Sequence, residues 1–232
     1  MAAVVLLLVM AMTTLTGCGR DRLMFGTGGT AGTYYAYGGV IAQYMTNYGG
    51  VKVTAVSTGG STVNIQSMQD GDYQMGFAQT DVMTYAWNGS KSFEEYGQNH
   101  DFRVLGGLYA ETVQLFTMDE NIKTVEDLRG KSVSIGAAGS GVYYNAMDVL
   151  TAAGMTLDDI KPQYQSFEDS KEAMKDGKIQ AAFIVAGAPT TAITELATTN
   201  GVYLVNIDGE LRDSIIREHP YYTALQIPAD TY

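Results

Sequence analysis

The chain has 232 residues, of which 46% are hydrophobic and 17% charged, and a formal net charge of −11. These values describe one large globular domain or two of ordinary size, and they exclude a disordered chain. The 14 Lys and Arg residues form no dense run, which excludes tight non-specific nucleic-acid binding, because that needs clustered cations to neutralise phosphates.

Residues 2–12 form an apolar run too short to span a bilayer comfortably, followed by small and polar residues, as in a signal-peptide core. Leu15-Thr16-Gly17-Cys18 resembles the bacterial lipobox, so residues 1–18 are expected to be a lipoprotein signal peptide with Cys18 the lipidated residue. Two or more acyl chains there would anchor the protein stably to a membrane. Cys18 is the only cysteine, so no intrachain disulfide can form. No Lys or Arg precedes the apolar run, and the true start is expected upstream of Met1.

Leu23-Met24-Phe25 reads as a strand and leads into the glycine-rich stretch Gly26-Thr27-Gly28-Gly29-Thr30-Ala31-Gly32-Thr33-Tyr34-Tyr35. A helix follows, with Tyr37, Val40, Ile41 and Tyr44 at helical spacing. A glycine turn between strand and helix leaves backbone N–H groups and the positive end of the helix dipole free for an anion. Residues 51–56 alternate like a strand, and Ser61 or Thr62 is expected to cap the next helix. That helix ends at the Asp70-Gly71 turn before a third strand at residues 74–78. Residues 88–100 read as a surface excursion, and residues 102–109 and 113–117 as extended segments.

The second half repeats the first. Val133-Ser134-Ile135 precedes Gly136-Ala137-Ala138-Gly139-Ser140-Gly141-Val142-Tyr143-Tyr144, again strand, small-residue loop, Tyr-Tyr and helix. Likewise Met68-Gln69-Asp70-Gly71 matches Met174-Lys175-Asp176-Gly177, each a helix end and an Asp-Gly turn before a strand. The expected fold is therefore α/β, with two similar lobes and a ligand cleft between them. The expected boundaries are 19–110 for lobe 1 and 111–207 for lobe 2, with 208–232 returning towards lobe 1.

Gly26-x-Gly28-x-x-Ala31 fits a relaxed dinucleotide fingerprint, but no Asp or Glu lies in residues 53–58, where that fingerprint needs one for the ribose. Gly130-Lys131-Ser132 precedes a strand and lacks the earlier P-loop glycine, since Val125 stands there. There is no GxSxG, no HExxH and no paired Cys-His set, and the two histidines are His100 and His219. A binding protein is favoured over an enzyme, and no cofactor or metal is expected.

The Gly26-Thr27-Gly28-Gly29-Thr30 to Tyr34-Tyr35 signature resembles the TAXI family of TRAP-transporter solute-binding proteins. So do Ala78-Gln79-Thr80-Asp81, Leu108-Tyr109-Ala110-Glu111, residues 124–136 and Ala186-Gly187-Ala188-Pro189-Thr190. The resemblance implies a type II periplasmic-binding fold that delivers a glutamate-like amino acid or carboxylate to a TRAP-type membrane permease. It also implies an extracytoplasmic place in the bacterial cell envelope, and residues beyond Tyr232 that complete lobe 1, so the chain is expected to be truncated at its C-terminus. The ligand's carboxylate is expected at backbone amides of Gly28, Gly32, Thr33, Ser140, Gly141 and Val142. Tyr34, Tyr109 and Tyr143 are candidate walls, Thr58 and Gln79 candidate hydrogen-bond partners, and Asp81 or Glu111 a partner for an ammonium group. Thr27, Gly187 and Pro189 complete the expected ligand-binding set. Two alternatives remain open: an α/β enzyme acting on a nucleotide or phosphate substrate, and a surface lipoprotein for sensing or adhesion.

Overall fold

The computed structural model describes residues 22–232; the expected signal peptide and Cys18 lie outside the described residues. The first unit runs β1 (Arg22–Gly26), α1 (Thr33–Tyr48), β2 (Lys52–Val56), α2 (Ser61–Gln69) and β3 (Met75–Gly76). Its strands are all parallel, in the order β2-β1-β3. Helix α3 (Thr80–Asn88) and a 3-10 turn (Lys91–Phe93) follow, then a stretch without regular structure.

The second unit contains β4 (Thr112–Thr117), β5 (Ser132–Ser134), α4 (Val142–Ala152), β6 (Lys161–Gln163), α5 (Phe167–Lys175) and β7 (Ala181–Ala186). Helix α6 (Thr191–Ala197), β8 (Tyr203–Val205) and α7 (Gly209–Glu218) complete it. The sheet order is β6-β5-β7-β4-β8, with β4 antiparallel to both β7 and β8. Within it, β5-α4-β6-α5-β7 has the same parallel pairing as the first unit, its first strand again in the middle. The internal sequence match is thus a topological repeat. At the repeated turns, Asp70 and Asp176 close α2 and α5, and Gly71 and Gly177 take φ of 80° and 71°. That left-handed conformation is one that a Cβ would strain.

The larger sheet is covered on both faces. Along β7, Ala181, Phe183 and Val185 pack with Leu115, Val142, Val149, Leu150 and Ile215, beneath α4 and α7. The alternate residues Ala182, Ile184 and Ala186 pack with Phe116, Met174, Ile193 and Leu196, beneath α5 and α6. A strand buried on both faces needs apolar residues throughout, and Ala181-Ala182-Phe183-Ile184-Val185-Ala186 supplies them. The smaller sheet has a slighter core of Phe25, Ala42 and Val53.

Four local expectations change. Helix α1 buries Gly38 and Ala42 and leaves Tyr37, Val40 and Tyr44 exposed by 47%, 67% and 65%. The cause is close approach, since a Cβ at position 38 would stand 2.3 Å from Thr27 Cγ2. Contact at that distance needs the small-residue face turned inward, whatever the count of apolar residues on the other. Residues 88–100 are not a plain surface excursion, because Phe93 is fully buried with Ile65, Val82, Tyr85 and Ala86. Residues 102–109 form no strand with any of the described residues. Finally, Gly60 rather than Ser61 or Thr62 holds the N-cap of α2.

Candidate functional site

Parallel α/β units place their strand-to-helix loops at the carboxyl ends of the strands, where ligands of such sheets bind. Here both units turn those ends toward one cavity of about 70 Å³. Gly28, Gly29, Gly32, Thr33 and Tyr34 reach it from the loop after β1, and Thr58, Gly59, Gly60 and Ser61 from the loop after β2. Gln79 comes from the end of β3. The second unit contributes Ala137, Ser140, Gly141 and Val142 after β5, Ser166 and Phe167 after β6, and Val185 and Ala186 from β7. Glu111, just ahead of β4, completes the wall.

Five helices therefore begin at the cavity: α1, α2, α3, α4 and α5. Each presents first-turn N–H groups without intrahelical partners, together with the positive end of its dipole. None of α1 to α4 has a side-chain N-cap hydrogen bond. In α5 the Ser166 hydroxyl accepts from Asp169 N–H at 3.1 Å. Among the described residues, no Lys, Arg or His lines the cavity. The arrangement attracts an anion by fixed backbone dipoles rather than by a cationic side chain.

Among the described residues, Glu111 is the one carboxyl in the lining. Burial pushes it from its ordinary value of 4.5 up to about 8, against the opposing hydrogen bond from Tyr34. The Tyr34 hydroxyl donates to Glu111 Oε2 at 2.8 Å, and its ring stacks on Phe77 with centroids 5.0 Å apart. Burial and the Glu111 charge in turn push the Tyr34 phenol well above its ordinary range. At neutral pH the pair is therefore mostly uncharged, and the first turns of α1, α2 and α4 carry no acidic side chain, whereas α3 has Asp81 and α5 has Glu168 and Asp169 there.

Gln79 links the units across the cavity floor. Its N–H donates to Ser61 Oγ at 3.1 Å and its Nε2 to Asn145 Oδ1 at 2.6 Å. A Cβ on Gly141 would stand 1.8 Å from Gln79 Oε1, so position 141 has no room for a side chain while Gln79 keeps its place. Thr58 acts in the scaffold: its Oγ1 lies 3.0 Å from Thr27 O and 2.8 Å from Asn64 Oδ1 and accepts from Gly60 N–H at 3.1 Å.

Of the residues expected to bind ligand, Gly28, Gly32, Thr33, Tyr34, Thr58, Gln79, Glu111, Ser140, Gly141 and Val142 share this cavity. The others lie elsewhere. Thr27 is fully buried and its hydroxyl donates to Val56 O at 2.6 Å. Asp81 is 3% exposed, accepts from Val82 N–H and from Asn145 Nδ2, both at 2.8 Å, and does not reach the lining. Burial raises its carboxyl as well. Tyr109 stands behind Tyr34, ring centroids 6.4 Å apart, with Gly187 beside it. Pro189 follows a cis peptide bond outside the lining, and Tyr143 lines a neighbouring cavity. Sequence reasoning missed Gly60, Ser61, Ser166 and Phe167, although the loops after β2 and β6 carry the signal: small or capping residues ahead of a helix.

Solved structures share this architecture. The alkanesulfonate-binding protein SsuA from Xanthomonas axonopodis pv. citri, bound to MOPS, matches over 80% of this chain at 18% identity and a TM-score of 0.54. The substrate-binding protein of an amino acid ABC transporter matches over 80% of this chain and 78% of its own, at 15% identity and a TM-score of 0.53. A binding protein component of an ABC phosphonate transporter from Pseudomonas aeruginosa matches over 85% of this chain and 73% of its own, at 12% identity and a TM-score of 0.53. The chain spans 56% and 60% of the length of two sulfonate-binding proteins that it matches. The fold is thus the α/β fold of periplasmic binding proteins, with the cavity between its two sheets. Its residues 25–232 match the sequence model of the NMT1-like family, and the chain belongs to that family.

Proposed function

We propose that this chain is the extracytoplasmic solute-binding subunit of a membrane transporter, and that it captures a small carboxylate or amino acid between its two units. The observation that carries the reading is the convergence of five helix N-termini on a cavity without a cationic side chain. The neighbours are binding proteins for an alkanesulfonate, an amino acid and a phosphonate, solutes that share a compact anionic group. Backbone N–H groups of residues 28–33 and 140–142 hold the ligand's carboxylate, and Glu111 meets an ammonium group if the ligand has one. Closure follows from tighter binding to the closed arrangement than to the open one. Gln79 and Asn145, bonded across the two units, belong to the closed state.

The finer form of the proposal is a TRAP-type permease as partner and a lipid anchor at Cys18. Both rest on the sequence resemblance: the glycine-tyrosine signature for the first, the lipobox for the second.

Thermal unfolding of the chain from Gly19 onward, with and without amino acids, dicarboxylates and nucleotides, tests the reading. A ligand at a hundredfold excess over its Kd adds about 2.7 kcal/mol of stability. A shift with small carboxylates or amino acids alone supports solute capture. A shift with nucleotides replaces it with the enzyme reading, and a cooperative melt that no small solute shifts favours adhesion. Calorimetry at pH 7 in buffers of different ionisation heat then separates the ligand classes. An ammonium beside Glu111 favours its carboxylate and expels a proton on binding, whereas a plain carboxylate expels none.

A further inference from the structure

Residues 219–222 follow α7 and are not in the cavity wall, yet they belong to a chain of hydrogen bonds that leads into it. The chain begins at Asp148 of α4, whose Oδ1 lies 3.3 Å from Lys91 Nζ and 3.5 Å from His219 Nε2. The Tyr222 hydroxyl donates to Asp148 Oδ2 at 3.0 Å and accepts from Asn145 Nδ2 at 2.6 Å. Asn145 also donates from Nδ2 to Asp81 Oδ2 at 2.8 Å, and its Oδ1 accepts from Gln79 Nε2 at 2.6 Å. Gln79 is in the cavity wall, whereas Tyr222, Asn145 and Asp148 are not.

The chain has one direction. Asp148, paired with the Lys91 ammonium, accepts, so Tyr222 gives its hydrogen there and meets Asn145 with its oxygen. Nδ2 of Asn145 is thereby turned to Tyr222, and Oδ1 is left for Gln79, which offers its nitrogen. Asp81 alone does not fix the Asn145 amide, because burial raises its carboxyl and a protonated carboxyl can donate as well as accept. Asn145 is 1% exposed, so no water replaces a lost partner without rearrangement.

We propose that Tyr222 is a positioning residue of the solute site: through Asn145 it holds the Gln79 side chain in the orientation that binds solute. The inference rests on the solute-binding reading of the cavity and gives that site a determinant outside its wall. Because the bond from Gln79 to Asn145 joins the two units, the same chain favours their closed arrangement.

The test is a double-mutant cycle of Tyr222→Phe with Gln79→Ala in the full chain, read by calorimetric titration with L-glutamate, L-alanine and succinate. Tyr222→Phe keeps the ring, and it leaves Asp148 with Lys91 and Asn145 with Asp81, so the fold persists. Tyr222→Phe alone should weaken binding about three- to tenfold, the worth of one hydrogen bond. In the Gln79→Ala background the same substitution should change binding by less than about twofold, because the two residues act as one unit. A merely structural role gives equal losses in both backgrounds; that result, or full-strength binding in Tyr222→Phe, overturns the proposal. Side-chain amide NMR reads the same chain without solute. Hydrogen exchange at Gln79 Nε2 should be about tenfold faster in Tyr222→Phe than in the parent, and unchanged exchange also overturns the proposal. If none of the three probes binds, the solute reading falls, while faster exchange still supports the hold of Tyr222 on Gln79.

Discussion

Glu111→Gln isolates the electrostatics of the cleft. The folded state holds the Glu111 proton up to about pH 8, whereas the ordinary carboxyl loses it near 4.5. The folded chain therefore binds the extra proton, and this group's contribution to stability is complete below pH 4.5 and is lost as pH rises towards 8. Holding that proton is worth on the order of 5 kcal/mol across the window and about 3 kcal/mol by pH 7. Glutamine has nearly the same shape, keeps an acceptor for the Tyr34 hydroxyl and cannot ionise. The variant should match the parent at pH 4.5 and exceed it at pH 7 by about 3 kcal/mol, or about 6–12 °C in Tm for a chain of this size. Urea and thermal unfolding of both proteins from pH 4.5 to 8.5 measure this. Only the difference between the two curves is informative, because Asp81, Asp119, Asp127, Asp159 and Asp176 also have shifted carboxyls. Parallel curves would refute the burial argument.

Gly141→Ala places a methyl against Gln79, breaks the bridge to Asn145 and should weaken ligand binding at least tenfold while the melt stays cooperative; titration with the bound solute measures it. Gly38→Ala separates two opposed effects, since alanine favours a helix interior by up to about 1 kcal/mol but here meets Thr27. We expect the clash to win, with a net loss of about 1–2 kcal/mol by urea unfolding, from an overpacking cost of about 1–3 kcal/mol. Phe93→Ala empties a fully buried position and should cost about 3–5 kcal/mol by the same measurement, whereas a plain surface excursion would predict almost none.

Much of the architecture is local and is legible in the residues. Glycine at positions 71 and 177 takes a φ that other residues avoid, and the short apolar run at 181–186 suits a strand buried on both faces. The strand–loop–helix units around residues 26–35 and 133–144 follow from the same kind of short-range rule. Because such loops always fall at the carboxyl ends of parallel strands, the glycine and small-residue segments also pointed to the cavity wall.

Contacts distant in the chain decided the rest. Which face of α1 turns inward depended on Thr27 meeting Gly38, a steric fact that hydrophobic spacing does not contain. Asp81 and Glu111 looked alike as acids near strand ends. Packing gave Asp81 to Asn145, more than sixty residues away, and left Glu111 in the cavity with Tyr34. Tyr143, expected as a wall of the first cavity, faces a second one because the loops at residues 59–60 and 138–140 meet between them. Composition and periodicity thus determined an α/β chain of repeated units with glycine-rich loops, since those depend on residues a few positions apart. The five-fold convergence of helix N-termini belongs to the tertiary structure, because it exists only once two sheets face each other.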